Sequence, residues 1–545
     1  MPFFKPLLFF AFFALQVSQA QVLDEQHEFT EADTLRGSLR PERNFDVLKY
    51  HLNVKVDPEK KFISGWNAIT FKAEAALPVM QVDLFSNMDV DSIIHKGKKL
   101  NYKRKANAVF IEMQPAIVKA CIDSIQFYYS GYPRIAMNAP WDGGFVFEKD
   151  EQNNPWIGVA VQGTGASLWY PNKDHQSDEP EEVLIEVAVP NDLMNVSNGR
   201  FLGKENLGNG YTQWNWKVNS PINNYDVTLN IGKYVHFSDK FHDLDLDYYV
   251  LPNNLEKAKE QFSEVKDMMA CFYEKFGDYP FEKDGYKLIE TPYLGMEHQS
   301  AVAYGNHYNK GYLGRDLSGT GIGLKWDFII IHESGHEWFG NSITASDIAD
   351  MWIHESFTTY SEAVYIECRW GKAEALKYLQ GIRKNIGNSA TIIGKYGVNN
   401  EGSGDMYYKG ANLLNTIRSI YNNDELWWKT LKDYTITYRH KIISTKQTEA
   451  FFDKATPVDL KPVFDQYLRH TSIPELQLKD KGRKLLFRWK TDVPNFDMPV
   501  DVLVDEKEIR IYPISEWKVF PQQKIKAKDV KPVEKEFYIA TQKVE

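Results

Sequence analysis

Hydrophobic residues recur along this chain with two different periods. Over residues 44–235 they alternate with polar ones: Tyr50, Leu52, Val54 and Val56 are separated by His51, Asn53 and Lys55. That is the pattern of a strand with one face buried. Similar runs at 183–189 and 225–231 are broken by clusters of Gly, Pro and Asn, which mark turns. The period then changes. Leu255, Ala258, Phe262, Val265, Met269, Phe272 and Phe276 fall three or four apart, which predicts one long amphipathic helix. Further helices are predicted over 327–339, 354–370 and 409–421, and helical character extends to about His470. After Pro474 the alternation returns at Leu485, Phe487 and Trp489, then at Val500, Val502 and Val504. The expected architecture is a multidomain α+β protein with a β-rich N-terminal domain (21–236), a mainly helical middle domain (237–470) and a short C-terminal β domain (471–545). No internal repeat is visible.

The first twenty residues read differently. Lys5 precedes a short apolar run from Pro6 to Leu15, and Ser18-Gln19-Ala20 offers small residues at the cleavage positions. This predicts a signal peptide cut after Ala20 and a secreted or periplasmic protein. The run is short for a membrane span, and no later segment approaches that length. The rest of the composition is that of a globular protein, 43% hydrophobic and 25% charged. The formal net charge of −10 gives no electrostatic case for nucleic acid or an anionic membrane. Three cysteines, Cys121, Cys271 and Cys368, allow at most one bridge. None has the spacing of a metal or redox motif, and all three read as buried packing residues.

The chemistry lies in the middle. His332-Glu333-Ser334-Gly335-His336 puts two imidazoles four residues apart, on one face of a helix, with a carboxylate beside them. Gly335 sits awkwardly there, since a helix-interior glycine costs on the order of 1 kcal/mol. A third ligand comes from the start of the next predicted helix, where Glu355 follows His336 after eighteen intervening residues. Two His and one Glu leave the fourth position of a tetrahedral zinc open to water. One zinc ion per chain is expected, held by His332, His336 and Glu355.

The block from His332 to Glu362 (HESGHEWFGNSITASDIADMWIHESFTTYSE) resembles the H-E-x-x-H-x(18)-E segment of the M1 (gluzincin) aminopeptidases. Leu294-Gly295-Met296-Glu297-His298 is similar to that family's G-x-M-E-N exopeptidase signature, and Tyr407-Tyr408-Lys409-Gly410-Ala411 to its Y-x-K-G-A segment. Leu294 and His298 depart from the usual Gly and Asn, and His354 and Ser356 from the usual Asn and Gly around the third ligand. The resemblance implies a thermolysin-like fold for the middle domain and a zinc aminopeptidase activity. It makes Glu333 the general base and gives Tyr407 the task of stabilising the oxyanion, with Tyr408 as the alternative. Glu297 is expected to bind the substrate's α-ammonium, beside Gly295 and Met296 along the peptide. Gln162, in Gln162-Gly163-Thr164-Gly165-Ala166, is expected to help. Asp350 is expected either to orient a zinc-ligating imidazole or to be a surface or capping residue.

The expected partners are peptides with a free N-terminus. Two rivals stand beside this reading: an endopeptidase or epoxide hydrolase on the same scaffold, and an inactive zinc-bearing peptide-binding protein. Residues 471–545 read as strands, so the large helical C-terminal domain of many family members is not expected here. That predicts an open cleft, or one roofed by a second subunit in an oligomer.

Overall fold

The computed structural model describes residues 29–545; the expected signal peptide lies outside them. A short helix, α1 (Glu31–Gly37), leads into an eight-stranded sheet. Its centre is the strand Phe45–Asp57, paired antiparallel with Phe62–Ala73 and parallel with Glu182–Pro190. Tyr50, Leu52, Val54 and Val56 are all fully buried, as a period of two on a half-covered sheet requires. The sheet shares one hydrophobic core with a three-stranded and a four-stranded sheet. Residues 225–231 do not form the single strand their alternation predicted. A short 3-10 turn spans Asn224–Asp226 and the strand is only Leu229–Gly232. The Asn223 side chain accepts the Tyr225 amide and closes that turn, a local competition with the sheet that Asn favours.

The middle region opens with a five-stranded sheet in which Gly295–Met296 is an edge strand beside Val302–Tyr304. The sheet's first strand is Val235–Phe241, so the junction expected after residue 236 falls inside a strand. The predicted long helix is two: α2 (Leu255–Gln261) and α3 (Glu264–Phe276). At the break Ser263 Oγ donates to the Glu260 carbonyl at 2.6 Å, while the Val265 amide closes a tight turn onto Phe262 O. The apolar spacing survives because the break keeps both helices against one core.

Then come α4 (Phe328–Gly335), α5 (Trp352–Trp370), α6 (Lys372–Ile382) and α7 (Asp405–Tyr421). Helix α5 is buried continuously from Trp352 to Ile366, so α4 and α7 must pack on it at close range. Two glycines permit this. A Cβ on Gly335 would stand 2.5 Å from Ser361 Oγ, and one on Gly410 would stand 1.8 Å from Ser356 Oγ. The residue that weakens α4 as an isolated helix is the one that lets it dock.

The C-terminal strands form two small sheets. Leu485, Phe487, Trp489, Val500, Val502 and Val504 are buried as the alternation predicted. They join the same contiguous core as the middle helices, so this segment does not carry a core of its own.

The cysteine reading needs correction. Cys271 of α3 and Cys368 of α5 form a disulfide that closes a 97-residue separation, and Cys121 is half-buried rather than core. Joining two helices that already pack together, the bond mainly restricts the unfolded chain and is worth about 2–4 kcal/mol. Replacing both cysteines by Ala should lower stability by that amount in equilibrium denaturation. An unchanged midpoint would show that packing alone fixes α3 on α5.

Candidate functional site

Helix α4 starts at Asp327, whose side chain accepts the amides of Ile329 and Ile330 and is further held by Gln261, Tyr304 and Asn306. This N-cap fixes the helix start. His332 and His336, one turn apart, then share a face. Helix α5 runs beside them and delivers Glu355 Oε2 to 3.7 Å from His332 Nε2 and 3.4 Å from His336 Nε2. The outer nitrogens are held from behind. His332 Nδ1 meets Glu362 Oε1 at 2.7 Å, and His336 Nδ1 meets the Phe339 carbonyl at 3.0 Å and Thr358 Oγ1 at 3.1 Å. With Nδ1 protonated toward those acceptors, each imidazole turns an Nε2 lone pair inward.

Glu355 Oε2 is buried and has no hydrogen-bond partner among the described residues. Burial alone would raise its pKa, yet the facing imidazoles hold it well below the ordinary carboxylate range. Two inward imidazoles and an orphaned carboxylate oxygen, all within 4.8 Å of one another, are a donor set that fits zinc.

Past His336 the chain leaves the helix sharply: Gly340 takes φ +126, and a Cβ there would crowd His336 Nδ1 at 3.2 Å. His354, where the resemblance expects Asn, is a buried neutral imidazole whose Nε2 accepts the Ala345 amide at 2.8 Å. Burial pushes it down to about 3. His298 is likewise pushed down to about 3 by burial, with both ring nitrogens unpartnered.

Glu333 projects from α4 toward the edge strand Gly295–Met296. A Cβ on Gly295 would stand 2.9 Å from Glu333 Oε1 and from Ile329 Cγ2, so only glycine lets the strand pass this close. Burial first, then the neighbouring charges of Glu297 and Glu355, push the Glu333 carboxyl up to about 7 against the pull of the two imidazoles. Met296 packs with Val146, Ala160, Tyr293 and Ala303, across the seam between the two large cores.

Glu297 is fully buried. Its Oε1 accepts Gln162 Nε2 at 2.6 Å and the Tyr225 hydroxyl at 3.0 Å, and burial raises its pKa. Gln162 Nε2 also reaches Glu355 Oε1 at 3.1 Å. One amide thus ties the His332–His336–Glu355 cluster to Glu297. Tyr407, on the first turn of α7, lies with its ring near that of His332, centroids 6.3 Å apart. Burial and then the charges of Glu355, Glu401, Glu297 and Glu333 keep its hydroxyl protonated. Tyr408 feels Glu362 and Tyr312 instead.

The structure therefore gathers His332, Glu333, His336, Glu355, Glu297, Gln162, Gly295, Met296 and Tyr407 into one neighbourhood. Asp350 is not among them. It accepts from Tyr396 and from both the amide and hydroxyl of Thr445, capping the start of a later helix, and it touches no imidazole. Of the two roles expected for Asp350 the structure shows capping, and the imidazole of His332 is oriented by Glu362 instead. Its signal was in the sequence: Glu355, Thr358 and Glu362 stand at i, i+3 and i+7 of one helix face. Tyr225 and Glu401 carried no comparable signal.

Residues 260–467 match the model described as the peptidase family M1 domain. The chain is 20% identical over 434 residues to a probable aminopeptidase 2 of Sulfurisphaera tokodaii, covering 74% of this chain and 55% of that protein. It is 23% identical over 520 residues to an aminopeptidase N of Lactobacillus helveticus, covering 86% and 58%. It thus spans little more than half the length of either relative. Among solved structures, an M1 zinc metallopeptidase of Deinococcus radiodurans superposes with a TM-score of 0.66 at 18% identity, covering 79% of this chain and 96% of the other. A variant of that protein bound to a Tyr-Ser-Ala substrate gives 0.64 over 78% and 94%.

Proposed function

We propose, for a chain whose residues 260–467 form a peptidase family M1 domain, that it is a zinc-dependent aminopeptidase releasing the first residue of peptides with a free N-terminus. The observation that carries this reading is the Gln162 amide, which places Glu297 beside the His332–His336–Glu355 triad.

His332, His336 and Glu355 would hold the zinc, and Glu362, Thr358 and the Phe339 carbonyl keep the imidazoles turned toward it. Zinc bound there supplies a Lewis acid and lowers the pKa of water toward ~7. Glu333 accepts the proton of the attacking water and returns it to the departing amine. Tyr407 donates its hydroxyl proton in a hydrogen bond to the oxyanion. Glu297, already oriented by Tyr225 and Gln162, pairs with the substrate's α-ammonium and so sets the scissile bond one residue in. The edge strand Gly295–Met296 leaves backbone groups for an extended peptide to pair with.

Glu297 favours this over an endopeptidase or epoxide hydrolase, because a buried carboxylate in that place is stabilised by an ammonium partner. Glu333 and Tyr407 favour it over an inactive binding protein. We also propose export to an oxidising compartment. The leader-like residues 1–20 and the Cys271–Cys368 disulfide support it.

A leucyl-initiated hexapeptide should lose residues stepwise from its N-terminus, and a chelator should stop this. The N-acetylated hexapeptide should resist at all positions. Internal cleavage of the acetylated peptide would refute the exopeptidase reading. No turnover of either form by zinc-loaded protein would favour the inactive binding protein.

A further inference from the structure

One carboxylate in the cleft has no task in that scheme. Glu401 lies on the segment leading into α7, six residues before Tyr407. It is 8% exposed, and its carboxylate accepts no hydrogen bond and forms no ion pair among the described residues. Its Oε2 lies 3.5 Å from where a Cβ of Gly163 would stand, so it borders the turn that carries Gln162. Its charge is felt by Tyr407, and it feels those of Glu355 and Glu297.

The nearby cation does not neutralise it. The Arg36 guanidinium is committed to the carbonyls of Gly163 and Thr164 and to Asp174. Burial first, and then the Glu355 and Glu297 charges, push the Glu401 carboxyl up to about 7 in spite of Arg36. An unpartnered carboxylate in a desolvated, acidic neighbourhood is a poor structural element and a good receptor for a cation.

The other acids of the cleft are engaged. Glu355 faces the two imidazoles, Glu333 stands over the reacting bond, and Glu297 has Gln162, Tyr225 and the α-ammonium. We propose that Glu401 receives the cationic side chain of the substrate's first residue, making this site selective for N-terminal lysine and arginine. This rests on the aminopeptidase reading and adds the substrate class to it. The rival role, a second ligand for the α-ammonium, would make Glu401 equally important for every substrate.

The test pairs each basic residue with a neutral analogue of nearly the same shape. Zinc-loaded full-length protein is assayed on lysyl, norleucyl, arginyl and citrullinyl fluorophores, and binding of free L-lysine and L-norleucine is measured by calorimetry. In the wild type, kcat/KM should favour lysyl over norleucyl and arginyl over citrullinyl by at least about tenfold, the scale of one desolvated charge-assisted contact. Glu401→Gln should cut both ratios by at least about tenfold, with the loss falling on the basic arm, and should weaken lysine binding relative to norleucine.

Wild-type ratios near one would overturn the proposal, even if E401Q failed to fold. Equal loss on all four substrates would overturn it in favour of the α-ammonium role. If none of the four is hydrolysed, the aminopeptidase reading fails separately. The calorimetry then still decides: lysine bound as tightly by E401Q as by the wild type overturns the role of Glu401.

Discussion

The purified wild-type protein should contain about one zinc per chain, and the His336→Ala variant almost none. The Nε2 of His336 would be one of three donors to the ion, and its removal would also leave the buried Glu355 less compensated. Glu355 Oε2 sits 3.4 Å from that nitrogen and has no hydrogen-bond partner among the described residues. A site reduced from three ligands to two loses most of its affinity. Elemental analysis after dialysis reads this directly, without an activity assay. Retention of a full equivalent of zinc by H336A would sink the ligand assignment.

The second large effect is on turnover with the metal in place. Glu333→Gln should keep zinc and lower kcat by at least about 10²-fold, because the amide can neither take nor return a proton. Gly295 leaves just enough room beside Glu333 Oε1, so an amide of the same size fits without displacing the edge strand. Tyr407→Phe should also keep zinc and lower kcat by about 10²–10³-fold, the usual cost of one oxyanion donor. The matched change at Tyr408, which feels Glu362 and Tyr312 rather than Glu355, Glu297 and Glu333, should be mild. If Tyr408→Phe is the damaging one, the register of the Y-x-K-G segment has been misread.

The metal triad was legible in the sequence because helical periodicity makes distance along the chain into distance in space. His332 and His336 are one turn apart by construction, and Glu355 opens a helix that must lie against theirs. Glu362 is legible by the same rule, two turns beyond Glu355, whereas Asp350 belongs to the connection before α5 and has a capping duty of its own. The same rule could not show that α2 and α3 are separate. A break that preserves the apolar face leaves no mark in the spacing, and only the hydroxyl of Ser263 competing for a carbonyl betrays it. Gly335 reads as a local defect until the close passage of α5 is known. Tyr225 and Glu401 lay out of reach. Tyr225 comes from a short 3-10 turn and Glu401 from the segment before α7, and no period links either of them to Glu297 or Glu355.

The bridge made by Gln162 has one more consequence. Tyr225 belongs to the N-terminal core and Gln162 follows Val161 of that core, whereas Glu355 lies on α5 between Ile353 and Phe357 of the middle core and Glu297 follows the edge strand Gly295–Met296 of the middle region's sheet. The amine pocket is therefore a joint property of two bodies, and its dimensions depend on how they are docked. A small rocking of one body against the other would stretch both the 2.6 Å contact between Gln162 and Glu297 and the 3.1 Å contact between Gln162 and Glu355. A peptide lying across the seam touches both bodies at once, so its arrival and the stiffness of the joint are one equilibrium.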